Sequence, residues 1–280
     1  MLSDKQEQTV GDGGFAIQAK GNITFQGPSP EHIDQMVKIF MVNNFPRLRE
    51  EAQQAAEEHV NKLGETLKAT LAASIEKIKV EKLADPDVQA TINDAVQASA
   101  RRGEKANPEL LCSLIAERIS SNENEFNDIV ISEAVRVVGH LTKEQISFLS
   151  LITFVKTMSF NLSTLRQLEI AMQKAFMACG AGFRIKSSQT MHLIYTGAAF
   201  HRALGGGDIY RETMTRYPHL GYSDVEKFKQ ELDENAPTWK ILLNAYEELR
   251  GFQFHLTGVG RAIGIANLSR QFGPLGYNLD

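Results

Sequence analysis

The sequence predicts a mainly α, multi-helix protein, and three observations carry that prediction. The first is a rod-like stretch from Pro46 to about Val80, whose apolar residues recur in steps of three and four. The second is a repeated punctuation of Asp, Asn, Thr or Pro at segment starts and Gly at segment ends. The third is how few and how short the alternating, strand-like runs are. The expected architecture is a long amphipathic helix, a short N-terminal β-hairpin, further helices, and a small C-terminal winged-helix-like strand–helix unit.

Taken in order, residues 1–14 are polar, with no basic region followed by an apolar run, so no signal peptide is expected. Phe15–Gln26 reads as two alternating pieces around Lys20-Gly21, a β-hairpin. A lone hairpin is marginal in water, so it must dock or pair with a copy of itself. Ser29-Pro30 starts a helix to Asn43, and Asn43-Asn44-Phe45-Pro46 reads as a break or kink before the rod. The rod's stripe runs through Leu48, Ala52, Ala55, His59, Leu63, Leu67, Leu71, Ile75 and Ile78. A stripe this long needs a partner, either a later helix of the chain or a coiled coil with a second copy.

Asp85-Pro86 and Asn107-Pro108 open two further helices, the first ending at Gly103, and another covers about Glu125–Val138. Thr142 and Gln145 form a capping box ahead of the most apolar helix, Gln145–Phe160. A helix from Asn161 or Ser163 to Ala178 follows, then an extended Phe183-Arg184-Ile185 and a helix over Ser187–Arg202. Gly205-Gly206-Gly207 is a break, and Asp208–Arg216 is a short helix. Ser223 caps the next, Pro237 opens one with the single tryptophan, and a strand-like FQFHL leads to Thr257 as cap of the last helix. The domains expected are 1–28 (N-terminal flexible segment and β-hairpin), 29–139 (long-helix domain) and 140–280 (helical domain ending in the winged-helix-like unit).

Composition narrows the function classes. The chain has 280 residues, 42% hydrophobic and 23% charged, with a net charge of −4. That balance gives no global attraction to nucleic acid or anionic lipid. Two cysteines, Cys112 and Cys179, make no disulfide framework and read as small core residues of a cytoplasmic protein. The window Ile146–Phe160 is shorter than the roughly 20 residues a bilayer needs and contains Lys156, so a buried helix is expected.

No segment carries a catalytic motif. Gly205–Asp208 lacks the Lys-Ser/Thr of a phosphate loop, and Gly258–Gly264 has no β-α-β unit around it. Those last glycines read as aids to a tight strand-to-helix turn and close helix packing. The seven histidines show no zinc-ligand spacing. A Cys-His pair of Cys179 with His192 or His201 lacks a third, orienting group. Arg202, Arg211 and Arg216, with Tyr210 and Tyr217, make a modest basic-aromatic set, joined by Arg261 on the last helix. A DNA-recognition helix should be basic, and the helices nearby are acidic or neutral.

Four segments together carry a resemblance: GNITFQG after a glycine-rich start, LADPDVQATINDAVQASARRGE, LTKEQISFLSLITFV and HLTGVGRAIGIANL. The chain resembles, from about residue 14 to residue 270, an uncharacterised family of bacterial proteins labelled by the Lpo and Vpar prefixes. The resemblance implies bacterial origin and a cytoplasmic location, and it brings no activity or catalytic residues. Similar strand starts resemble components of anti-phage defence loci, an association rather than a mechanism.

The expected function is that of a non-enzymatic, self-associating helical scaffold or sensor in bacterial defence or stress. Its oligomer interface is expected at Ile17, Ile23 and Phe25 of the hairpin and at Leu63, Leu67, Leu71 and Ile75 of the rod. The alternatives are a DNA-binding regulator, contacting nucleic acid through Arg202, Arg211, Arg216 and Arg261, and a membrane-disrupting effector exposing helix 145–160. A second protein is a further partner to test, no membrane partner is expected, and no cofactor or metal is called for.

Overall fold

The computed structural model describes residues 30–73, 75–120, 124–160, 163–202 and 206–276, with the side chains of 30–48, 75 and 80 outside the description. The expected hairpin, with Ile17, Ile23 and Phe25, lies outside the described residues. Two units divide the chain, Met1–Ala52 and Gln53–Asp280. In the first, the described side chains of Arg49 to Ala52 are exposed.

The first helix, α1, runs over Pro30–Ala72, 43 residues. Of the break or kink expected at Asn43–Pro46, the break is corrected: a mid-helix proline removes one hydrogen bond and need not end the helix. The expected end near Val80 is corrected too. After Ala72 the chain turns through short 3₁₀ segments at Ile75–Lys77 and Val80–Ala84, and the Lys79 N–H bonds the Ile119 carbonyl at 3.4 Å. That long-range bond replaces a local helical one. Within the second unit, Leu63 is buried and Leu67 and Leu71 pack against the same core.

Helices α2 (Pro86–Arg102), α3 (Pro108–Ser120) and α4 (Glu125–Val138) follow at the expected places. Asp85 caps α2 by accepting from the Asp87 N–H, and Asn124 caps α4 through the Asn127 N–H. The three helices meet around Arg118, whose side chain is only 4% exposed. It lies 3.0 Å from both Asp87 and Asp128 and 3.5 Å from Asp85, while Lys82 reaches Asp128 at 3.5 Å. A buried guanidinium is tolerable only with such a shell of carboxylates.

The expected capping box is present at α5 (Lys143–Thr157): the Gln145 N–H donates to Thr142 Oγ1, and the Thr142 N–H donates to Gln145 Oε1. Every residue from Gln145 to Val155 is buried, so the apolar window is the core helix expected. Helix α6 (Leu165–Cys179) is capped by Thr164, one residue beyond Ser163 and three beyond Asn161, the two expected starts. Two expectations are overturned next. Phe183 and Arg184 lie in a 3₁₀ turn, Gly180–Arg184, instead of an extended piece. The helix expected over Ser187–Arg202 ends early, as α7 (Ser187–Tyr195), because Gly197 adopts φ +73° and turns the chain into a strand.

That strand, β1 (Ala199–His201), pairs antiparallel with β2 (Phe254–Leu256), Phe200 opposite His255. Between them come α8 (Ile209–Arg216), α9 (Val225–Asn235) and α10 (Pro237–Glu248). Asp224, not Ser223, caps α9, accepting from the Lys227 N–H. Thr257 caps α11 (Gly258–Phe272) as expected, through the Gly260 N–H. Helix α11 packs against α3, α4, α5 and α6.

Its glycines are packing residues, as their setting suggested. A Cβ on Gly264 would lie 2.9 Å from Thr153 Cβ and 3.0 Å from the Leu149 carbonyl oxygen, and one on Gly260 would sit 2.9 Å from the Ala198 carbonyl carbon. The backbones therefore approach closely, and Asn267 donates to Ser150 Oγ at 2.9 Å and to the Ala178 carbonyl at 3.2 Å. Among the described residues the protein is mainly α, with eleven α-helices and one two-stranded antiparallel sheet.

Candidate functional site

Polar groups converge in a groove of about 490 Å³ between the C-terminal half of α4 and the end of α7. It is lined by Glu133, Arg136 and His140 on one side and His192, Tyr195 and Thr196 on the other. The four-residue and three-residue steps of α4 bring Glu133 and Arg136 onto one face. Arg136 Nε donates to Glu133 Oε2 at 2.9 Å, and Arg136 Nη2 bonds Glu133 Oε1. The Glu133 carboxylate beside it raises the Arg136 pKa above its ordinary value. Continuing the same face toward the N-terminus of α4, Ile129 and Phe126 are exposed.

The α7 side is held from beneath by α5. Gln145 is buried, and its side-chain NH₂ donates to the Gln189 carbonyl at 2.8 Å and meets His192 Nδ1 at 3.0 Å. Gln189 in turn donates from Nε2 to Thr142 Oγ1 at 3.1 Å. The capping box of α5 is thus shared with α7. His192 stacks on Tyr195, ring centroids 6.3 Å apart and 25° between planes. Tyr195 itself is 87% exposed.

The rod residues expected at an interface and the arginines expected at nucleic acid take different settings among the described residues. Leu63, Leu67 and Leu71 face the chain's own core, and the Ile75 side chain lies outside the described residues. Arg216 is half-buried and caps α5, donating to the Val155 carbonyl and, at 3.1 Å, to that of Lys156. Arg211 is exposed and lies 3.9 Å from Asp208. Arg261 is half-buried on the first turn of α11, at a cavity of about 280 Å³ that also holds Thr157 and Met158. Arg202 is exposed beside the two-stranded ribbon, its backbone N–H bonded to the Gln253 carbonyl. There Phe200 stacks on His255 at 5.3 Å. Burial lowers the His255 pKa below its ordinary 6.5, helped by the charges of Lys156 and Arg202.

A catalytic Cys179–His pair is not assembled. Burial raises the Cys179 thiol far above its ordinary range, while His192 is engaged with Gln145 and His201 Nε2 with Gln253 at 3.2 Å. Among the described residues no group of three or more His, Cys, Asp and Glu is placed to hold a metal ion. None of the described helices is long and apolar enough to cross a membrane. Sequence reasoning missed Tyr195, Arg136 and the second half of Gln145's role. The capping box revealed Gln145, but its reach to α7 is a tertiary contact.

Fold and site together define a mainly α protein with a polar groove supported by a buried hydrogen-bond network. A protein-family model matches residues 27–226 and 207–280, and the chain belongs to that family, an uncharacterised bacterial one named with the Vpar prefix. Comparison with curated proteins found no match, and neither did comparison with solved structures.

Proposed function

We propose that this protein is a non-enzymatic, self-associating helical scaffold or sensor, working in the bacterial cytoplasm in defence or stress. The observation that carries the reading is the outer face of α4, which leaves Phe126 and Ile129, one turn apart, 57% and 58% exposed. Large apolar side chains grouped on one helix face favour association, since covering them recovers roughly 25 cal/mol per Å². The rod takes part through the portion of its stripe that the core leaves uncovered, including the exposed Ala55. The alternating pattern around Ile17, Ile23 and Phe25, expected from the sequence to pair as strands, would add a contact, and a coiled coil at the rod supplies the second.

Light scattering after size exclusion tests this on the full chain, on one lacking residues 1–28, and on Ile129→Asp. A defined oligomer that shrinks in either altered chain supports assembly. A monomeric full chain across the working concentration range overturns it.

The ribbon supports a second reading, nucleic-acid binding at the winged-helix-like end. Phe200 is 48% exposed and stacked on His255, with Arg202 and Lys156 nearby. An aromatic platform beside cations suits single-stranded nucleic acid. Salt-sensitive binding of a labelled oligonucleotide, weakened by Arg202→Ala or Arg261→Ala, is its test. The membrane reading requires α5, buried from Gln145 to Val155, to leave the core. Vesicle leakage that survives Phe154→Asp would count against it.

A further inference from the structure

The groove between α4 and α7 has a fixed hydrogen-bond polarity. Gln145 Oε1 accepts from the Thr142 N–H at 2.9 Å, which orients the amide and turns its NH₂ toward Gln189 and His192. An NH₂ group only donates, so His192 Nδ1 accepts. The neutral imidazole therefore carries its proton on Nε2, on the ring edge away from Gln145, and the residue lines the groove. Gln145 is 1% exposed and tied at both ends, so this tautomer is built in.

Beside that donor stand an aromatic ring and a cation. Tyr195 stacks on His192 yet remains in solvent, which suits a face that receives another ring better than it suits core packing. Arg136 is gripped by Glu133 through Nε and Nη2, leaving Nη1 available to a second oxygen. The Glu133 carboxylate also balances its charge, so a bare anion gains little there. A ligand must bring stacking as well as charge.

We propose that this groove binds a small planar ligand carrying an anionic oxygen. The ring lies against Tyr195, and the oxygen accepts from His192 Nε2–H and pairs with Arg136. The groove's volume, about 490 Å³, falls within the range of small-molecule sites. The inference rests on the sensor reading and names the class of molecule sensed.

The test is isothermal calorimetry on the full chain, with four probes: adenosine 5′-monophosphate and benzoate as planar anions, adenosine as a plane without the charge, and inorganic phosphate as the charge alone. At least one planar anion is expected to bind one per chain, more tightly than adenosine or phosphate. Tyr195→Ala and Arg136→Gln are each expected to weaken it about tenfold or more, with unchanged thermal unfolding. Nitrogen-15 shifts of His192 report the Nε2–H tautomer and its displacement by the ligand. No binding of either planar anion at millimolar concentration overturns the proposal. So does phosphate binding as tightly as adenosine 5′-monophosphate, or unchanged affinity in both variants. Molecular mass measured on the same samples keeps the two readings separable, since self-association fails by mass and the groove fails by calorimetry.

Discussion

Arg118 on α3 ties three helices together, because α2 with its cap and α4 both bring carboxylates to it. Arg118→Ala leaves Asp128, 18% exposed, without its guanidinium at 3.0 Å. Removing one partner of a buried pair costs about 3–5 kcal/mol when the other is left uncompensated, and since Lys82 still reaches Asp128, a loss at or below the low end of that range is expected in urea unfolding. The two cysteines predict a chemical outcome. Burial, with the Glu109 charge adding to it, pushes the Cys112 thiol up to about 12, and burial alone raises Cys179 further. A thiolate-selective reagent should leave both intact in the native protein and titrate both after denaturation.

His255 gives the pH prediction at this scale. Its folded pKa lies below the ordinary 6.5, so below that pH the unfolded chain takes up the proton first. Stability is therefore full above pH 6.5 and falls as pH drops toward the folded midpoint. Neutralising Arg202 should move the imidazole's NMR titration midpoint upward.

Among the elements, several helix C-termini are closed by side chains from elsewhere in the chain. Arg102 donates to the Gly139 carbonyl and, at 3.3 Å, to that of Leu141, beyond α4. Arg216 does the same for α5, and His59 Nδ1 lies 3.3 Å from the Ala100 carbonyl near the end of α2. Such placements satisfy orphan carbonyls and complement the helix dipole. Arg102→Gln should cost about 1.5–3 kcal/mol, the range for hydrogen bonds to charged groups. The α5–α11 contact is tighter still. Gly264→Val must push against Thr153 and the Leu149 carbonyl, and overpacking of this kind costs about 1–3 kcal/mol or more. Thermal unfolding of the two variants checks both figures.

At the scale of the whole molecule, the second unit has one continuous core running from Leu63 to Leu268. The division expected near Gly139-His140 has its test here. Helix α11 packs against α3 and α4 as well as α5 and α6. A single cooperative transition is therefore predicted for residues 53–280 by calorimetry, with no separate unfolding of the part before Gly139.

Much of this fold was legible from local chemistry. The caps at Asp85, Thr142 and Thr257, the stop at Gly103 and the burial of the apolar helix all follow from rules that act within one or two turns. The turn after Ala72 and the strand pairing of Phe200 with His255 were settled by partners far away in sequence. The groove belongs to that second group. A cap residue announces itself by its neighbours, whereas the other end of Gln145 meets His192 only after α5 and α7 have packed. The sequence by itself determined the helical class and most helix boundaries, because propensity and capping are local energies. Which arginines close helices, which glycines admit a neighbour, and which rings line a groove were decided by tertiary packing, since each depends on long-range distances that local patterns do not encode.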